Sequence, residues 1–289
     1  MITLKNEWLK VEIAPEGAEY QSIVRLDTGL EYLWQGDPAW WGRRSPILFP
    51  IVGKLKDGKY VYQGKEYALS GHGFARDMTF DAVEQTETFV KLHLASNEDT
   101  RAVYPFDFDL YVTYTLEGKS VTCDYEVVNR TDGDMYFSIG AHPGINLPLL
   151  PGESWADYVI RFSQKETCDT WCFRDGGMQW QTEPCLENSD TLEITPHMFD
   201  QDAIILKDLA CHEVSFEGLS NGHKVTCEFS RYPTIAFWSA APNAPFVCME
   251  PWCGHADMVD HDGDLTRKQD IEHLAQAETF SVGYTLTLD

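Results

Sequence analysis

The sequence predicts an all-β protein, a large antiparallel β-sandwich built as one domain over residues 1–289. Strand-like runs that alternate apolar with polar or β-branched residues dominate, turn clusters separate them at hairpin spacing, and long helical periodicity is almost absent. Period-two alternation is what a half-buried strand requires, because successive side chains point to opposite faces of the sheet. In chain order the runs are Trp8–Ile13, Lys59–Tyr62, Phe89–Leu94, Leu110–Leu116, Val121–Val128, Asp157–Phe162, Lys224–Phe229, Thr234–Trp238 and Phe280–Leu288. The first puts Leu9, Val11 and Ile13 on one face, and the fourth does the same with Leu110, Val112, Tyr114 and Leu116. Between the runs, Leu55–Gly58, Asn129–Asp134 and Leu219–Gly222 carry the Gly, Asn and Asp of tight turns and are spaced as hairpin connections.

A chain of 289 residues, 43% hydrophobic and 13% aromatic, can bury a large core within one big β domain. No repeat, low-complexity tract or linker marks a boundary. No run approaches the roughly twenty apolar residues of a membrane helix, and Met1–Glu7 lacks the pattern of a secretory leader, so a cytoplasmic protein without membrane partners is expected. The eight cysteines are scattered, several within strand-like runs, which favours reduced thiols. Cys168 and Cys172 have chelating spacing, but no second close pair follows and no metal is expected. The net charge of −24 repels nucleic acid and anionic headgroups, leaving a neutral or locally recognised small ligand.

Four stretches carry polar residues that a plain sandwich does not need: Trp40–Lys54, Ser70–Asp77, Ser138–Gly144 and Phe246–Trp252. His72 and His142 sit beside glycines that permit close approach, and histidine suits proton transfer near neutral pH; each also reads as a hydrogen-bonded structural histidine. Glu250 follows an apolar run and precedes Pro251-Trp252, a strand-end position where desolvation raises a carboxyl's pKa; its structural alternative is an ion pair with Arg44 or Arg76. Trp40, Trp41, Trp238, Trp252, Phe74 and Phe246 are core candidates, one or two of which can line a ligand platform. Asp260–Asp264 is read as a solvated turn, because its glycine is misplaced for a calcium loop and Ile271 stands where the last ligand belongs. With no phosphate loop, dinucleotide fingerprint or nucleophile elbow, no cofactor is expected.

Arg43-Arg44-Ser45-Pro46-Ile47-Leu48-Phe49-Pro50, His72-Gly73-Phe74-Ala75-Arg76, Ala141-His142-Pro143 and Glu250-Pro251-Trp252, in that order, resemble the galactose mutarotase-like superfamily. Within it they are most similar to the LacX-like branch of the aldose 1-epimerase family, over nearly the whole chain. The resemblance implies a supersandwich whose concave face holds a sugar, with His142 as general acid, Glu250 as general base and His72 as a substrate-binding histidine. It also implies a hydroxyl-binding aspartate, matched by Asp202 with Asp200 as the alternative. Phe246 and Trp252, flanking Glu250, are the aromatic candidates for sugar contact.

Gly53-Lys54 stands where the best-known members carry an Asn-Arg pair, so Lys54 is a binding candidate, and Phe74 replaces a second glycine. Arg44 and Arg76 resemble positions that hold phosphate in the hexose-6-phosphate epimerases. The implied reaction interconverts hexose anomers by acid and base ring opening; hexose-6-phosphate epimerisation and non-catalytic carbohydrate binding remain as alternatives. Glycoside hydrolysis by Glu250 and Asp202 would leave both histidines unexplained. A monomer or homodimer is expected.

Overall fold

The computed structural model describes every residue from Met1 to Asp289. Strands account for almost all regular structure, and the one α-helix is the six-residue Glu98–Val103, started by an Asn97–Thr100 capping box. Fifteen strands form one large sheet in which every ladder is antiparallel, and Ile2–Lys5, Leu9–Ile13 and Tyr20–Arg25 form a separate three-stranded sheet. The expected all-β class with large antiparallel sheets is the one observed.

Each predicted run falls within or against a strand, and the period-two pattern reappears as burial. Phe108–Glu117 alternates buried and half-buried residues along its length, as Leu9–Ile13 does. Their apolar faces join a contiguous core of 69 buried residues drawn from Ile2 through Leu288. A second cluster of eight, among them Leu48, Met178, Ile205, Trp252 and Ala256, forms apart from it and backs the cavity described below.

Three sequence expectations need correction. Leu219–Gly222 joins the paired strands Glu213–Gly218 and Lys224–Glu228, but the other two turn clusters close no hairpin between the runs they separate. Leu55–Gly58 leads through a short 3₁₀ turn into Lys59–Tyr62, which pairs onward with Lys65–Ala68. Asn129–Asp134 carries the chain out of the large sheet to Met135–Phe137, whose partner is the distant Glu272–Leu274. Turn chemistry reports where the chain bends, whereas pairing depends on what arrives alongside.

The third correction bears on function. Glu250 lies inside a strand, because Phe246–Cys253 continues through Pro251 with all eight residues buried. On one side Thr234–Trp238 pairs along it, with Ala236 opposite Glu250 and Ile235 opposite Pro251. On the other side the neighbour is broken: Ile139 and Gly140 pair with Cys253 and Trp252, and pairing resumes only at Gly144 opposite Cys248. Pro251, which has no N–H to give a ladder, sits beside this interruption.

Candidate active site

His142 occupies the interruption. Strand Ile139–Ala141 ends just before it, strand Gly144–Asn146 begins just after, and Pro143 accepts the Met249 N–H through its carbonyl at 3.1 Å. The break frees His142 from the pleat and turns its ring toward the neighbouring strand, where Nε2 stands 3.2 Å from Glu250 Oε2. Both side chains face a cavity of about 220 Å³. That is just below the range of about 300–1,000 Å³ usual for small-molecule pockets, and fits a compact single-ring ligand.

The wall holding this pair is aromatic. Trp41 stacks on the His142 ring at 4.8 Å and Trp238 meets it edge-on at 5.5 Å, while Trp252 and Met178 continue the lining. Glu250 is 1% exposed, and neither carboxyl oxygen has a hydrogen-bond partner within the protein; the same holds for His142 Nδ1. Burial therefore pushes the Glu250 carboxyl well above its ordinary pKa, and the negative charge of Asp202 adds to the shift. The Trp252 indole opposes it more weakly, without forming a well-directed hydrogen bond. Burial pushes His142 the other way, well below the ordinary imidazole value, with His72 and then Arg76 contributing. Burial thus favours the uncharged form of each group, and the two stand in a 3.2 Å contact.

Next to the aromatic wall the lining is cationic, made by Lys54, His72 and Arg76. His72 and Gly73 both have left-handed backbones, φ 64° and 70°, and a side chain at Gly73 would drive its Cβ to 2.1 Å from the Phe49 carbonyl oxygen. Only glycine allows this turn, which doubles the loop back so that the Gly53 N–H donates to His72 Nδ1 at 3.2 Å and Gly53 accepts the His72 N–H at 2.8 Å. With Nδ1 accepting, the neutral ring carries its proton on Nε2 and is a donor. Burial, then the charges of Arg76, Lys54 and Arg43, lower the His72 pKa to about 3, so it stays neutral across the physiological range. Arg76 donates to the Gly71 carbonyl at 2.8 Å and stands 3.8 Å from Asp77, while Lys54 lines the cavity and belongs to no ion pair.

The structure separates the remaining candidates. Asp202 lines the cavity, whereas Asp200 does not and pairs with His197 at 3.0 Å. Trp252 lines it as well. Arg44 does not: Glu19 accepts the backbone N–H groups of Arg44 and Ser45, and Gln21 accepts from its guanidinium at 2.8 Å, which turns the side chain toward the three-stranded sheet. Phe246 is fully buried one layer back, stacked between Trp34 and Trp41. Neither arginine pairs with Glu250, whose titratable neighbour is His142. Phe173, Met178 and Ile205 line the cavity but carry no sequence signal, since they read as ordinary apolar strand residues. Asp260–Asp264 is a turn in which Asp264 caps Thr266.

One grouping could chelate. His142, Cys248 and Glu250 offer ligand atoms within 4.8 Å of one another, all buried. A metal there would need the thiol and the carboxyl ionised, and burial raises both well above their ordinary values, which opposes binding. Cys168 and Cys172 join no such group; every cysteine is a free thiol. No helix is long and apolar enough to cross a membrane.

Comparison with known proteins agrees with this architecture. The chain is 34% identical to the plasmid-encoded protein LacX of Lactococcus lactis subsp. lactis, over 99% of each chain. A galactose mutarotase related enzyme from Lactobacillus acidophilus superposes with a TM-score of 0.94 at 35% identity, over 100% of this chain and 97% of that one. A galactose mutarotase-like protein from Lactobacillus casei gives 0.94 at 30% identity over the whole of both chains. The aldose 1-epimerase family model matches residues 1–269, and the chain belongs to that family.

Proposed function

We propose that the protein interconverts the α and β anomers of an aldose by opening and reclosing the sugar ring, with His142 and Glu250 moving the protons. The observation that carries this reading is the 3.2 Å contact between two buried titratable groups of opposite shift, on the wall of a cavity sized for one ring. Ring opening removes a proton from the anomeric hydroxyl and delivers one to the ring oxygen, breaking the C1–O5 bond and leaving an aldehyde. Rotation about C1–C2 and reclosure with the roles reversed invert the anomer.

Burial sharpens one detail. The active form, carboxylate beside imidazolium, holds the same single proton as the pair with both groups uncharged. Hydroxyls of a bound sugar supply the hydrogen bonds that the Glu250 oxygens lack, and so favour transfer of that proton to His142. Glu250 then accepts the anomeric proton and His142 donates to the ring oxygen. The Nε2–H of His72 supports a sugar oxygen from the cationic side, Asp202 accepts from hydroxyls, and the tryptophans pack against C–H faces.

Lys54 and Arg76 on the same wall favour a second reading of the substrate, a sugar bearing phosphate. One panel separates the readings: α-anomers of glucose, galactose and their 6-phosphates, followed by polarimetry and NMR anomer exchange with wild type and Glu250→Gln. Accelerated exchange that the variant loses supports the epimerase; binding without exchange makes the protein a carbohydrate binder.

A further inference from the structure

Beside the Gly53–Lys56 segment lies an ion pair, Asp257 with Lys268, that does not itself line the cavity. Asp257 and Lys268 are 2% and 3% exposed, and Lys268 Nζ donates to Asp257 Oδ1 at 2.8 Å. Burying two charges is costly and stabilises little over an apolar pair of similar volume, so this pair calls for an account other than stability. Its remaining bonds supply one. Asp257 Oδ2 accepts the Lys56 N–H at 2.8 Å, the Asp257 N–H donates to the Lys54 carbonyl at 2.9 Å, and the Asp257 carbonyl accepts the Met178 N–H at 2.9 Å. One residue therefore fastens the Gly53–Lys56 segment, the tip of the long hairpin that carries Met178, and its own loop.

The fastened parts face the cavity: Gly53, Lys54, Met178 and Ala256 are all lining residues. Gly53 lies flat on Ala256, where an added Cβ would come to 2.7 Å from the Ala256 Cβ, so the segment cannot slide without moving this loop. Gly53 in turn makes both backbone contacts that orient His72. We propose that Asp257, held by Lys268, is a positioning residue that sets the direction and tautomer of His72 through the Lys54–Lys56 segment. Its catalytic meaning rests on the epimerase reading, but its structural effect does not.

Three variants test this. Lys56→Pro removes the N–H that Asp257 Oδ2 holds, together with the exposed Lys56 Nζ bond to the His261 carbonyl; Leu55 already has the extended backbone that precedes proline, φ −82° and ψ 148°, and Lys56 is the first residue of the 3₁₀ turn, where proline fits. Asp257→Ala with Lys268→Met removes the acceptor and leaves no orphaned charge, while Asp257→Asn with Lys268→Met keeps a neutral acceptor. Nitrogen-15 NMR of histidine-labelled protein reads His72 directly. The expected result is a single Nε2–H tautomer in wild type and in the Asn variant, tautomer averaging in the Pro and Ala variants, and a fall in exchange kcat/KM of about ten- to a hundredfold in those two. Retention of the fixed tautomer by Lys56→Pro overturns the proposal, as does its retention by a folded Asp257→Ala/Lys268→Met protein. A wild type without exchange would remove the epimerase reading and leave the tautomer result to decide the clamp.

Discussion

The two walls of the cavity place histidines 5.7 Å apart, ring centre to ring centre, and make opposite use of them. On the aromatic wall His142 has one nitrogen without a partner and the other against Glu250, so its proton is free to move. On the cationic wall His72 is locked by Gly53 into one tautomer and surrounded by positive charge, so its proton is not. Both rings are pushed toward the neutral form by burial. A shifted pKa does not by itself identify a proton carrier; in the mechanism proposed above the partner does, a carboxyl making a shuttle where a backbone N–H makes a fixed donor.

Breaking the shuttle should have the largest effect. Glu250→Gln should lower anomer exchange by about 10²–10⁴, the usual contribution of one general acid or base, with the fold intact by circular dichroism. The same variant should be more heat-stable than wild type at pH 7–8. The folded carboxyl's pKa lies above its unfolded value, so the stabilisation from its neutral form is complete below about pH 4 and is lost as pH rises toward the folded pKa, at up to about 1.4 kcal/mol per unit. Glutamine avoids that loss. A melting temperature at pH 8 equal to or below that of wild type would contradict a buried, protonated Glu250.

His142→Gln should cost exchange a similar factor, about 10²–10⁴, without the gain at high pH, because His142 is already neutral there. If the two walls differ as described, His72→Gln should be milder, about 10²–10³, the loss typical of one oriented donor. Its pH signature runs in the other direction. The folded pKa of His72 lies near 3, so the stability it contributes is present above about pH 6.5 and is lost as pH falls through that window. His72→Gln should therefore melt higher than wild type at pH 4–5, and a calorimetric series from pH 4 to 8 checks both signs. The smallest effect belongs to Lys54→Met: little change with a neutral hexose, and a KM raised by about ten- to a hundredfold only where the substrate carries phosphate.

Much of this site is legible in the sequence because its residues break the strand pattern in which they lie. Glycines beside His72 and His142, and a proline after Glu250, mark backbone that a regular ladder does not need. Arg44 shows the limit of such reading: it shares a motif with residues near the cavity, yet Glu19 and Gln21 turn it away. Phe173 and Met178 show the converse. They reach the cavity because a hairpin of two 17-residue strands folds its tip against Asp257, and nothing in their local sequence records that arrival.

The sequence by itself determined the all-β class, the strands whose faces alternate, and the order of the motifs that carry the family. These are local properties, set by side-chain period and backbone freedom within a few residues. Only the tertiary structure decided that Glu250 sits inside a strand, that a break in the neighbouring strand brings His142 to 3.2 Å, and that burial pushes both groups toward their uncharged forms. Distance across strands and exclusion of water are set by segments more than a hundred residues apart, and it is these that give two ordinary side chains their chemistry.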